Sequence, residues 1–194
     1  NFPENSVGWY RKHFFVSKTD EGKRISIQFD GIFRQSSVWV NGFYLGTEPS
    51  GFTGAEYNIS EYLNYNGGNV IAVRVDATME EGWYYEGAGI YRHVWLQKTA
   101  PLHITTHGTF VNSVPAGADA QIQVSTTLIN EQTQPAGCTV HYSVLDANRN
   151  TVSEAVIAAV NLAPWQQREL QAALKLTNSH RWSLDTPYLY TLVT

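Results

Sequence analysis

Apolar residues recur at every second position through most of this chain, and that period decides its fold class. In Ile25-Ser26-Ile27-Gln28-Phe29-Asp30 the apolar side chains fall on one face and the polar ones on the other. Val70-Ile71-Ala72-Val73-Arg74-Val75-Asp76 reads as another strand, as does Arg92 to Lys98, which closes the first unit. Between Val38-Trp39-Val40 and Phe43-Tyr44-Leu45 stands Asn41-Gly42, a pair that accepts positive φ at both central positions of a type I′ hairpin turn. Glu61-Tyr62-Leu63 allows a single helical turn, and no segment carries a helix of ordinary length. The pattern predicts an all-β protein.

The composition changes near Ala100-Pro101. Most tryptophans and glycines precede it, and Thr, Gln, Ala and Val dominate after it. With 194 residues, two units of ordinary domain size are expected, residues 1–100 and 101–194. In the second unit, Ile122, Val124, Thr126 and Leu128 share a phase, as do Val140, Tyr142 and Val144, and Leu170, Ala172, Leu174 and Leu176. Strands 10–15 residues apart without helices predict a small β-sandwich, with Trp182 and Leu184 plugging one end of its core.

Charge excludes some partners. Charged residues make up 15% and the net charge is −4, with no basic run, which argues against nucleic acid. No stretch of about 18 apolar residues suggests a membrane helix. No signal-peptide pattern opens the chain. The single cysteine, Cys138, excludes an intrachain disulfide and is expected to be a buried, inert strand residue. The chain opens in a loop at Asn1-Phe2-Pro3 and stops inside a strand pattern at Leu192-Val193-Thr194, so it reads as a piece of a longer polypeptide. Its compartment stays open among periplasmic, secreted and cytoplasmic.

Chemistry-bearing residues are few. Asp30, Asp76, Glu80, Glu81 and Glu86 are the carboxylates of the first unit weighed as a glycoside-cleaving pair. Asp30 is expected to cap a turn, and Asp76 to bond backbone N–H groups at a strand end. His103 and His107, on one predicted strand face, make an unsupported metal pair, so neither metal nor cofactor is expected. Nucleophile elbows, phosphate loops and dinucleotide fingerprints are absent. Gly82-Trp83-Tyr84-Tyr85-Glu86-Gly87-Ala88-Gly89-Ile90-Tyr91-Arg92 concentrates rings and glycines. Three consecutive aromatic residues cannot all face a core, so at least one is expected at a rim, where flat rings with polar tips suit a sugar. Packing of these rings onto the sandwich end is the plain alternative. Arg92 can anchor an acidic partner by a two-pronged bond.

Several strings together carry a family likeness: Trp9-Tyr10-Arg11-Lys12, Phe29-Asp30-Gly31, Val38-Trp39-Val40-Asn41-Gly42, Arg74-Val75-Asp76 and Gly89-Ile90-Tyr91-Arg92-His93-Val94-Trp95-Leu96. They resemble the N-terminal sugar-binding domain of glycoside hydrolase family 2, with a lean toward its β-galactosidase-like members. The Trp182-Ser183-Leu184-Asp185-Thr186-Pro187-Tyr188-Leu189-Tyr190 ending is similar to the immunoglobulin-like domain that follows in that family. The resemblance implies a jelly-roll sandwich lacking its first strand or two, then an immunoglobulin-like sandwich whose last strand is incomplete. It also implies that the catalytic glutamates sit on a (β/α)₈ barrel absent from these residues, so the chain alone is expected to be inactive. The expected role is scaffolding of that barrel and part of the pocket rim, with Asp76, Trp83, Tyr84 and Glu86 as rim candidates and Arg92 as a structural anchor. A β-linked sugar and the barrel are the implied partners. An autonomous carbohydrate-binding module and a structural or adhesive sandwich pair stay open beside this reading.

Overall fold

The computed structural model describes residues 6–78 and 88–194. They divide into two compact units, Asn1–Ala100 and Pro101–Thr194.

Unit 1 is built from β1 (Val7–Val16), β2 (Arg24–Phe29), β3 (Ile32–Phe33), β4 (Ser36–Val40), β5 (Phe43–Glu48), β6 (Ala55–Asn58), β7 (Gly67–Asp76), β8 (Gly89–Ile90) and β9 (Val94–Thr99). One sheet has the order β1-β7-β4-β5 and the other β6-β2-β9, with β3 and β8 forming a two-stranded clip. The alternation seen in the sequence sorts the faces. Val38, Val40, Ile71, Val73 and Val75 point inward from the first sheet and meet Ile25, Ile27 and Phe29 of the second. The hairpin turn forms as expected, with φ of 51° at Asn41 and 88° at Gly42. Ser60–Tyr62 is one 3-10 turn.

A side-chain amide network fixes the hairpin to β7. Asn69 is fully buried. Its Oδ1 accepts from Asn41 Nδ2 and from Asn64 N, both at 2.8 Å, and its Nδ2 donates to the carbonyls of Asn64 and Gly67. Asn41 in turn accepts from Val70 N and donates to the Tyr62 carbonyl. Across the unit, buried Asp20 accepts from Lys23 at 2.7 Å and Lys98 at 2.6 Å, tying the first loop to β9.

Among the described residues β1 and β9 are edge strands of their sheets, as are β5 and β6, and an apolar groove of about 480 Å³ runs between β1 and β9. Tyr10 and Phe14 line one side, Ile27, Phe29 and Leu96 the other, and Val73 the floor.

Unit 2 contains β10 (Leu102–Ala116), β11 (Asp119–Asn130), β12 (Ala136–Leu145), β13 (Thr151–Leu162), β14 (Gln167–Leu176) and β15 (Thr191–Val193). Its two sheets have the orders β10-β11-β14 and β13-β12-β15. All the predicted inward residues of β11 and β12 are buried, as are Leu170, Leu174 and Leu176, with Ala172 packed beside them. Buried Asn130 donates to the carbonyls of Gln134, Leu162 and Ala163. Cys138 lies on β12, half-buried against this core.

Three expectations fail here. Trp182 and Leu184 do not plug the core; they are 57% and 88% exposed. The chain leaves β14 through a positive-φ residue, Asn178, and Tyr190 and Leu192 pack on the core instead. His103 and His107 do not share a strand face, because β10 is irregular between Ile104 and Thr109 and His107 has a φ of 54°. The strand expected from Arg92 starts only at Val94, since residues 91–93 break between β8 and β9.

Candidate pocket-rim site

β7 delivers the candidate site. Its outward phase carries Arg74 and Asp76, and its inward phase, Ile71, Val73 and Val75, holds the strand in the core. Asp76 Oδ2 accepts from Arg74 at 2.6 Å, while Oδ1 accepts from the Thr78 hydroxyl at 2.6 Å and from Thr78 N at 3.1 Å. The Thr78 hydroxyl and amide first, then Arg74, hold the Asp76 carboxyl down at about 2. At neutral pH Asp76 is therefore an ionised acceptor for hydroxyls or cations and no proton source.

The backbone around it is closed by neighbouring loops. Asp76 N donates to the carbonyl of Arg34, a residue only 8% exposed, and Ala77 N donates to the Ser6 carbonyl. Residues 32–33 pair with 90–89 in the clip. Phe33 meets Phe52 edge-on at 5.5 Å, and Tyr91 Oη donates to the Gly51 carbonyl at 2.8 Å. Two glycines are required here. Gly89 has a φ of +125°, and a Cβ on it would lie 2.2 Å from Tyr10 Oη. A Cβ on Gly31 would lie 2.7 Å from the Tyr91 ring.

The predicted site residues are not all on this surface. Trp83, Tyr84 and Glu86 lie outside the described residues, as do Glu80 and Glu81. Arg92 is exposed, with its guanidinium carbon 5.8 Å from the Tyr91 ring centroid. Asp30 does not cap a turn. Its carboxylate accepts from Trp95 Nε1 at 2.9 Å and from Gln28 Nε2 at 3.4 Å, across the sheet face. Asp30 and Asp76 are thus each committed to their own networks. Among the described residues no three of His, Cys, Asp and Glu gather to hold a metal ion, and no helix is long and apolar enough to cross a membrane.

Sequence reasoning missed buried Arg34 and the Arg74–Asp76 pair. The second was legible, since alternate residues of a strand share a face. It also missed Trp9, Trp39 and Tyr44, which lie together on the outer face of the β1-β7-β4-β5 sheet. The hairpin turn alone would have set Trp39 opposite Tyr44.

Comparisons with known proteins extend along both units. Residues 2–100 match the family model described as glycosyl hydrolases family 2, sugar binding domain. Residues 102–194 match that of glycosyl hydrolases family 2. The β-galactosidase BoGH2A of Bacteroides ovatus is 40% identical over 190 residues, covering 97% of this chain and 22% of that protein. A β-galactosidase of Thermoanaerobacter pseudethanolicus is 32% identical over 193 residues, 95% of this chain and 25% of that protein. The crystal structure of a family 2 member from Bacteroides cellulosilyticus superimposes with a TM-score of 0.91 at 35% identity, over 97% of this chain and 26% of that one. A family 2 β-glucuronidase structure gives 0.93 at 27% identity, over 99% of this chain and 22% of that one. The chain therefore spans about a quarter of the length of these relatives. With both of its units matched in tandem, this chain belongs to glycoside hydrolase family 2.

Proposed function

We propose that these two domains are the non-catalytic part of a β-galactosidase-like enzyme, scaffolding a catalytic barrel and lending part of its pocket rim. The tandem match of both units, within a chain spanning about a quarter of β-galactosidase relatives, carries the reading. The intact protein is a retaining β-glycosidase that cleaves a terminal β-linked sugar through two barrel carboxylates about 5–5.5 Å apart. Asp76 sits where β7 leads into residues 79–87, and its ionised oxygens fit a sugar hydroxyl. Trp83, Tyr84 and Glu86 join the rim by sequence position, and Arg92 anchors the return strand.

The groove between β1 and β9 supports a second part of the reading. An extended segment of the intact polypeptide lies there as a further jelly-roll strand, pairing with a free edge and filling the groove with alternate apolar side chains.

The test compares the intact protein with this chain on nitrophenyl β-galactoside. The intact protein hydrolyses it and residues 1–194 alone do not. Asp76→Ala in the intact protein, assayed well below its lowered melting temperature, raises KM about tenfold or more, as loss of a charged hydrogen bond requires. Hydrolysis by the chain alone, or an Asp76→Ala enzyme with wild-type kinetics, refutes the assignment.

A further inference from the structure

The outer face of the β1-β7-β4-β5 sheet carries a second cluster, away from the core and built on strands rather than loops. The register lays out its rows. Trp9, Arg74, Ser37 and Thr47 stand side by side across the four strands, and Arg11, Ala72, Trp39 and Tyr44 form the adjacent row. Ala72 is the small floor between the tall side chains. Trp9 leans over it to meet Trp39 at 5.3 Å, and Trp39 meets Tyr44 at 5.5 Å. The three rings make a continuous strip in which Trp9 is 61% and Tyr44 56% exposed. Beside it a depression of about 360 Å³ is walled by Trp9, Trp39, Arg11 and His13.

The polar groups on this face are already ordered. Tyr44 Oη bonds to Thr47 Oγ1 at 2.7 Å, and Thr47 Oγ1 to Ser37 Oγ at 2.8 Å, giving a row of three hydroxyls along one side of the rings. Each retains hydrogen-bonding capacity, since a hydroxyl offers one donor and two acceptor sites. Arg11 and His13 border the other side. Apart from Ala72, these two rows carry no aliphatic side chain. A rigid strip of rings edged by hydroxyls and donors matches a pyranose, whose C–H faces are flat and apolar and whose rim is hydroxylated.

We propose that this sheet face is a carbohydrate-binding platform that takes a neutral hexose oligosaccharide, its sugar rings stacked on Trp9, Trp39 and Tyr44. Hydroxyls of the bound sugar bond to the Ser37–Thr47–Tyr44 row on one side and to Arg11 and His13 on the other. The platform adjoins Asp76, whose partner Arg74 stands in the Trp9 row, and its task is to hold a polymeric substrate rather than to position the bond that is cleaved.

Affinity electrophoresis of the intact protein through gels holding soluble galactan, xyloglucan, mixed-linkage glucan or polygalacturonate tests this. At least one neutral polysaccharide retards the protein, and Trp9→Ala and Tyr44→Ala each weaken the interaction about tenfold. Both side chains are exposed, so circular dichroism and melting of the variants stay as in the wild type. Hydrolysis of nitrophenyl β-galactoside also stays unchanged, which separates failure of the platform from failure of the proposed enzyme. Retardation by no neutral polymer, or by polygalacturonate alone, overturns the proposal, as does equal retardation of the wild type and both variants. Oxidative footprinting of the sugar-free intact protein decides whether another domain covers the face instead. Trp9 is modified readily if the platform is open, and its protection overturns the proposal.

Discussion

Asn69→Ala is the sharpest test of how unit 1 is held together. Asn69 is fully buried and makes four hydrogen bonds, two accepted by Oδ1 and two donated by Nδ2. Its removal leaves Asn64 N and the carbonyls of Asn64 and Gly67, all in a part-buried setting, without this partner, while Asn41 keeps its bonds to Val70 N and the Tyr62 carbonyl. At about 1 kcal/mol for each lost bond, and somewhat more where a buried group is left unpaired, the cost sums to about 3–5 kcal/mol. For a domain of this size, roughly 4–8 °C per kcal/mol lowers the melting temperature by at least about 12 °C. Asn69→Asp keeps the shape but replaces the two donors by acceptors facing the Asn64 and Gly67 carbonyls, so it is no milder than alanine. Urea unfolding followed by tryptophan fluorescence reports mainly on unit 1, which holds four of the six tryptophans. A loss below about 1 kcal/mol for Asn69→Ala, or a stable Asn69→Asp, refutes the claim that this network fixes the hairpin.

Gly89→Ala combines a strained φ with a clash on Tyr10 Oη, and should cost about 1–3 kcal/mol; Tyr10→Phe in the same chain returns only the clash component. Tyr142→Phe should be neutral or stabilise unit 2 by about 1 kcal/mol, because the buried Tyr142 hydroxyl has no hydrogen-bond partner; a loss above about 1 kcal/mol in thermal melts contradicts this. Asp76 and Asp20 are both held below the ordinary carboxylate range, Asp76 by Thr78 and then Arg74, Asp20 by Lys23 and then Lys98. The unfolded chain protonates first on acidification, so their stabilisation is complete above about pH 4 and is lost as pH falls through the folded values, about 2 for Asp76. Asp76→Asn and Asp20→Asn should each flatten the acid limb of stability against pH, and an unchanged limb refutes the linkage.

The fold was legible because its main determinant is local. Period two in residues 25–30 and 70–76 sets which side chains are inward, and burial of Ile25, Ile27, Phe29, Ile71, Val73 and Val75 follows. Asn41-Gly42 named its own turn. What escaped depends on partners distant in sequence. Nothing near Asp30 announces Trp95, 65 residues on, and nothing near Asp20 announces Lys98. Trp182 misled because an aromatic near a chain end resembles a plug, whereas the turn at Asn178 sends it outward and Tyr190 reaches the core. The pocket-rim candidates were named from a family likeness, and of them the described residues include only Asp76, with its ionised state fixed by neighbours two residues away on either side.

β1 brings the two surfaces of unit 1 into one constraint. Trp9, Arg11 and His13 face the aromatic side, while Tyr10 and Phe14 line the groove. Because strand side chains alternate exactly, a slip of one residue against β7 would exchange these sets, emptying the platform of Trp9 and pushing it toward the core. The register must therefore be specified by more than apolarity, since both phases of Trp9-Tyr10-Arg11-Lys12-His13-Phe14 contain rings. Two features specify it. Tyr10 fits against Gly89, where only glycine leaves room, and Val16 at the strand end is fully buried opposite Gly67. Gly89 thus acts at a distance on a face it never touches: it holds Tyr10 inward, and that places Trp9 over Ala72 beside Trp39.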